Sequence, residues 1–212
     1  MLRFAPAQAV GVSDTHGGFV LYLEGPGDRG ILDAWCKRLL PSIARRLSRA
    51  SVILGGRRPA RAVEHFRALG GAEAGARGLC VLDRDNDLAP PPPENAEPGL
   101  EFFTWGRRHI ESYLLVPEAI CRGLRLPSAD RRVQRVLREH LPPEGDEEAY
   151  RALDAKRILG PGGALSLALG VPIPPARVAR ATRASELHAD VHDFFERLRR
   201  EFGVVDVSIG GA

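Results

Sequence analysis

Four short apolar runs, separated by segments of helical spacing, limit the fold more than any other feature of this chain. Phe19–Glu24 (FVLYLE) ends in Gly25-Pro26-Gly27 and reads as a buried strand. Ser51–Leu54 closes on Gly55-Gly56, Gly78–Leu82 runs into Asp83-Arg84-Asp85, and Leu100–Trp105 forms a fourth run. Between them, Asp28–Leu47 carries Ile31, Leu32, Trp35, Leu39 and Ile43 at helical spacing, with a kink or break expected at Pro41. Pro59–Leu69 reads as a helix stopped by Gly70-Gly71. Strands alternating with helices predict an α/β fold, a parallel sheet of about four strands flanked by helices with right-handed crossovers.

Beyond Ser112 the pattern is helical throughout. Pro117–Leu124, Ala129–Leu141, Asp146–Leu159 and Pro175–Phe202 are the expected helices, and no strand is expected among them. The predicted organisation is an α/β core over residues 1–115 and a helical subdomain over 116–212. The stretch APPPPENAEP cannot pair in a sheet and reads as exposed loop. The ends of the chain read as those of a fragment excised from a longer protein. No apolar run approaches the ~18 residues of a membrane span. Cys36, Cys80 and Cys121 are few, odd in number and far apart, which fits a reducing cytoplasm better than a disulfide framework or a zinc site.

The net charge of +3 hides an uneven distribution. Ala34–Val63 holds eight basic residues and no acid, and Arg122–Arg138 holds six arginines against Asp130. Such stripes can follow a phosphate backbone, or can be ordinary solvated helix faces. Lysine is scarce: Lys37 and Lys156 are the only two.

Two motif echoes fail on physical grounds. Gly25–Gly30 fits G-x-G-x-x-G, but Glu24 and Asp28 put negative charge where a pyrophosphate would sit, and the acid expected about 20 residues on is missing. Asp83, Asp85, Asp87 and Glu94 echo a calcium loop, but Leu88 stands where that loop needs glycine. His188 and His192, four apart on an expected helix, would share a face, but no acid or cysteine completes a zinc signature. Trp35 and Trp105 read as core.

The acids have a simpler logic. Glu24 ends the first strand and Asp83 the third, and ligands of parallel sheets bind beyond the carboxyl ends of strands. If those strands are neighbours, Glu24, Asp83 and Asp85 converge, and Asp28 in the next helical turn extends the group. Carboxylates ~4 Å apart at an effective dielectric of ~20 repel by about 4 kcal/mol per pair. Such a group takes up protons or a cation, and all-oxygen ligands suit Mg²⁺, Mn²⁺ or Ca²⁺. The competing structural reading makes each acid a cap or turn residue; it is weakest for Glu24, which closes an apolar strand.

LYLEG and VLDRD resemble the Toprim fold of topoisomerases, primases and several nucleases. FFTWGRRHIESYLLVPEAI and LDAKRIL are similar to segments of the Toprim nucleases of the OLD (overcoming lysogenization defect) family. The resemblance implies that Glu24, Asp28, Asp83, Asp85 and Glu111 hold two Mg²⁺ or Mn²⁺ ions, and that Lys156 faces the scissile phosphate. It makes Arg84, Arg107 and Arg108 candidates to grip a DNA backbone. In that family the module follows an ABC-type ATPase domain; this chain has no G-x-x-x-x-G-K-[ST]. The expectation is a metal-dependent DNA endonuclease module, with any homodimer formed through regions outside it and phage defence as its setting. Two alternatives stay open: part of a topoisomerase or primase, and a binding module without catalysis. Glu111 as a plain ion-pair partner of Arg107 or Arg108, and Lys156 as an ordinary surface lysine, also stay open.

Overall fold

The computed structural model describes residues 18–85 and 97–204. The loop with Asp87 and Glu94, and the two chain ends, lie outside the described residues. The four apolar runs become β1 (Phe19–Leu23), β2 (Ser51–Ile53), β3 (Arg77–Leu82) and β4 (Leu100–Thr104). They form a four-stranded, all-parallel sheet in the order β2-β1-β3-β4. The first expected helix is two: α1 (Pro26–Leu39) and α2 (Ala44–Ala50), separated at Pro41. α3 (Pro59–Ala68) carries the chain from β2 to β3.

Strand alternation divides the apolar side chains between two faces. Tyr22, Cys80 and Leu82 face one way and meet Ala62, Val63 and Phe66 of α3. A methyl added at Gly78 would lie 2.8 Å from Leu100 and 3.2 Å from the Phe66 ring, so glycine lets α3 pack close there. Leu21, Leu23, Leu79 and Val81 face the other way and join Trp35, Ile120, Val133 and Phe194 in a larger core. That core runs continuously from the sheet into the helical half.

The helical half comprises α4 (Pro117–Leu124), α5 (Arg131–His140), α6 (Glu147–Ala152), α7 (Lys156–Leu159), α8 (Ala164–Leu169), α9 (Pro175–Ala181) and α10 (Ala189–Glu201). Among the described residues no strand follows β4. Two expected helices are broken. Asp146–Leu159 divides at Leu153, whose backbone is extended, and Asp154 accepts from Arg157 N at 3.3 Å to start a new turn. Pro175–Phe202 divides at Thr182, also extended, and resumes at α10 with His188 as its cap. No helix among the described residues is long and apolar enough to cross a membrane.

Candidate metal centre

β1 leads away to β2 on one side, while its neighbour β3 leads to β4 on the other. The carboxyl ends of β1 and β3 therefore form the switch point at which open α/β sheets bind ligands. Glu24 and Asp83 stand there. Glu24 Oε1 accepts a hydrogen bond from Asp83 N at 2.9 Å, tying the two strand ends together. Arg57, in the turn after β2, donates to the Asp83 carbonyl and lies 3.9 Å from Glu24 Oε1.

Asp83 is the centre of the group and only 5% exposed. Its Oδ1 accepts from Ile110 N at 2.9 Å and its Oδ2 from Lys156 Nζ at 3.1 Å. These two bonds bring residues 110 and 156 to the strand end. The chain turns sharply at Asp85, whose φ is +52°, a left-handed value that aspartate tolerates better than most L-residues. Asp85 N donates to Arg108 O at 3.1 Å, which docks the segment after β4. Asp28 Oδ2 accepts from Gly25 N at 2.8 Å, so this acid does cap α1. Glu111 sits in the 3₁₀ turn Ile110–Leu114, and its Oε2 is buried with no hydrogen-bond partner among the described residues.

The electrostatics make one group of these residues. Burial pushes Glu24 up to about 7, with Asp83, Asp85 and Asp28 adding to the rise against the Asp83 N–H. Burial and then Asp83 push Asp28 up to about 6. Burial pushes Glu111 up to about 7; Lys156 opposes the rise, while Asp83 and Asp28 add to it. Burial works to lower the Lys156 pKa, but Glu111, Asp83 and Asp28 outweigh it and hold the ammonium above its ordinary value. Acids spread from residue 24 to residue 111 thus act on one another's charge, and on that of Lys156, across this end of the sheet.

Sequence reasoning missed three members. His109 is 4% exposed, with Nε2 3.9 Å from Asp85 Oδ1 and Nδ1 3.8 Å from Asp154 Oδ1. Burial, then Lys156, lowers its pKa, and Arg108 adds to this, while Asp83 and Asp154 oppose it. Ligand atoms of Asp83, Asp85 and His109 all lie within 4.8 Å of one another. The available signal was a histidine two places before Glu111 in a stretch already singled out. Asp154 had only its place two residues before Lys156, and Arg57 only its place in a basic stripe.

The three candidate arginines differ in position. Arg107 pairs with Glu147 at 2.8 Å and lies over the rings of Tyr150 and Tyr113, its side chain 11% exposed. Arg84 is partly buried and 3.4 Å from Gly106 O. Arg108 lies 3.8 Å from Asp154. Neither Arg107 nor Arg108 forms an ion pair with Glu111; the cation whose charge acts on it is Lys156. His188 and His192 serve separate ends: His188 Nδ1 caps α10 at Asp190 N, and His192 Nε2 lies 3.1 Å from Ala184 O. They do not share a helix face, because α10 begins after His188. Trp35 and Trp105 are buried in the main core. The Tyr22 hydroxyl lies 3.0 Å from His65 Nδ1, the Tyr113 hydroxyl donates to Asp190, and Tyr150 lies beneath Arg107. Cys36, Cys80 and Cys121 are buried free thiols, and burial pushes Cys36 and Cys80 up to about 12.

No family model, curated protein or solved structure matches this chain.

Proposed function

We propose that this chain is a divalent-metal-dependent endonuclease module that hydrolyses DNA phosphodiesters, similar to the Toprim nuclease part of OLD-family proteins. In that reading it works in the cytoplasm beside an ABC-type ATPase domain outside this chain, with phage defence as its setting. One observation carries the proposal: at the sheet's switch point Glu24 is bonded to the Asp83 backbone, ligand atoms of Asp83, Asp85 and His109 lie within 4.8 Å of one another, and Lys156 stands 3.1 Å from the buried Asp83 carboxylate.

The residues fit a hard divalent cation. A buried carboxylate oxygen without a partner, Glu111 Oε2, belongs to a cluster whose members raise one another's pKa. Mg²⁺ or Mn²⁺ in a pair would supply charge to hold both the attacking water and the leaving oxygen of an in-line displacement. Asp83, whose charge acts on Glu24, Asp28, Glu111 and His109 alike, would be among the residues that hold such ions. Lys156 now neutralises Asp83; once cations take over that task, its half-exposed ammonium is available to a phosphate oxygen. In this reading Arg84 and Arg108, beside the cluster, meet the DNA backbone, whereas Arg107 holds the segment that carries Glu111.

Supercoiled plasmid and Mn²⁺ test the reading. The protein nicks or linearises the plasmid, EDTA stops it, and Asp83→Asn lowers the rate by ~10²-fold or more. Asparagine keeps an acceptor for Ile110 N, so the circular dichroism spectrum stays that of the wild type. Undiminished cutting by the variant removes this site from the reaction. The Lys156–Asp83 pair also favours a second reading, a nucleic-acid-binding module whose acids are structural and already neutralised. Metal-independent DNA binding with no cleavage under any ion selects it.

A further inference from the structure

His109 is not among the acids that define the cluster, and it is one of the most enclosed polar side chains in the molecule. It follows Arg108 and precedes the 3₁₀ turn, and its ring stands between two carboxylates. Asp85 faces Nε2 at 3.9 Å and Asp154 faces Nδ1 at 3.8 Å. Both separations are too long for direct hydrogen bonds, and Nδ1 is buried with no hydrogen-bond partner among the described residues. An imidazole satisfied within a core would have a carbonyl or hydroxyl at one nitrogen. This one has acids on both sides and a third, Asp83, close enough that one ligand atom from each of Asp83, Asp85 and His109 falls within 4.8 Å of the others.

We infer that His109 supplies Nε2 as a nitrogen ligand to a divalent ion held with Asp83 and Asp85, and that Asp154 orients the ring from the Nδ1 side. The inference rests on the metal-cluster reading and deepens it by naming the class of ion. Metal-ligating histidines almost always give their second ring nitrogen to a carboxylate, carbonyl or water, and Asp154 is the carboxylate in place. Asp154 is itself held by Arg157 N at 3.3 Å and lies near Arg108, so it is not free to swing away. Mg²⁺ prefers an all-oxygen shell rich in water, whereas imidazole favours first-row transition ions. The side of the cluster formed by Asp83, Asp85 and His109 therefore selects Mn²⁺ over Mg²⁺.

Pulsed electron paramagnetic resonance on the full chain, stripped with EDTA and loaded with less than one equivalent of Mn²⁺, tests this without any activity. The expected spectrum carries ¹⁴N modulation from a bound imidazole, and His109→Gln removes it. Calorimetric titrations with Mn²⁺ and Mg²⁺ run beside it. His109→Gln weakens Mn²⁺ by ~10–100-fold while Mg²⁺ changes little, and Asp154→Asn weakens Mn²⁺ by ~10-fold as an outer partner should. The wild-type spectrum decides the point even if a variant fails to fold. Tight Mn²⁺ binding without ¹⁴N modulation overturns the histidine ligand and leaves the carboxylate site standing. No Mn²⁺ binding at all overturns both.

Discussion

Asp83 and Lys156 are 73 residues apart and form the closest opposite-charge contact of the cluster, at 3.1 Å. One partner is buried and the other is half exposed. Removing the lysine leaves Asp83 without its cation in the metal-free protein, a costly state for a buried charge. Lys156→Met is therefore expected to lower the melting temperature in EDTA and to recover it in Mn²⁺, because the ion replaces the missing charge. Calorimetry should show Mn²⁺ binding at least as tight as in the wild type, since no ammonium competes for Asp83. Cleavage should nevertheless fall by ~10²–10³-fold, the usual cost of removing one preorganised charge from a reacting phosphate. A variant that loses metal affinity along with activity would show instead that Lys156 only positions Asp83.

At the level of elements, the placement of Lys156 depends on a corner that sequence patterning did not reveal. α7 is four residues long and ends at Gly160. A Cβ at Gly160 would meet the Lys156 carbonyl oxygen at 2.3 Å, and that neighbour is backbone that cannot yield without moving the lysine. Ser166 closes the corner by donating toward Gly163 O at 2.9 Å and Gly160 O at 3.2 Å. Gly160→Ala keeps every charged group of the cluster yet shifts Lys156. Misplacing a reacting group by ~1 Å can cost ~10²-fold, so cleavage should drop steeply while the Mn²⁺ titration stays near wild type. Unchanged cleavage would mean that the corner does not set the lysine's position. The strands were legible because each is an apolar run stopped by glycine or by an acid, and the Pro41 break was legible because proline cannot continue a helix. The breaks at Leu153 and Thr182 were not, since apolar spacing continues across both and the groups that start the next turns are Asp154, which accepts from Arg157 N, and His188, the cap of α10, residues with other apparent uses. α8 (ALSLAL) was missed for its brevity between glycines. The acids of the site were legible as strand-end and motif residues; His109, Asp154 and Arg57 were not, because their roles arise from tertiary neighbours alone.

For the whole molecule, the cluster makes stability depend on pH and on metal in a linked way. Glu24 and Glu111 are pushed up to about 7 and Asp28 to about 6, by burial first and then by the Asp83 charge that all three share. A carboxyl raised in the folded state holds its proton more tightly there than in the unfolded chain. Its contribution to stability is full below the ordinary carboxylate range near 4 and is lost as pH rises through about 6 to 7. Glu147 and Glu186 have lowered values, so they give a slope of opposite sign around the ordinary carboxylate range, at the acid end of this window and the same in both proteins. His109, lowered mainly by burial, gives a slope of opposite sign below its ordinary 6.5, and so partly masks the effect. A Glu24→Gln/Glu111→Gln double variant keeps His109 and removes the two carboxyls, so the difference between proteins isolates them. In EDTA, the wild-type melting temperature should fall relative to the variant between pH 5 and pH 8. With saturating Mn²⁺ the wild type should recover, by an increment that grows with pH and levels off above about 7, because below that the ion must displace protons. The variant should gain less from Mn²⁺ at every pH. Scanning calorimetry at several pH values with and without metal measures all of this. Parallel pH profiles for the two proteins in EDTA would show that these carboxyls are not held together, and with that the reason for a cation at this rim of the sheet would disappear.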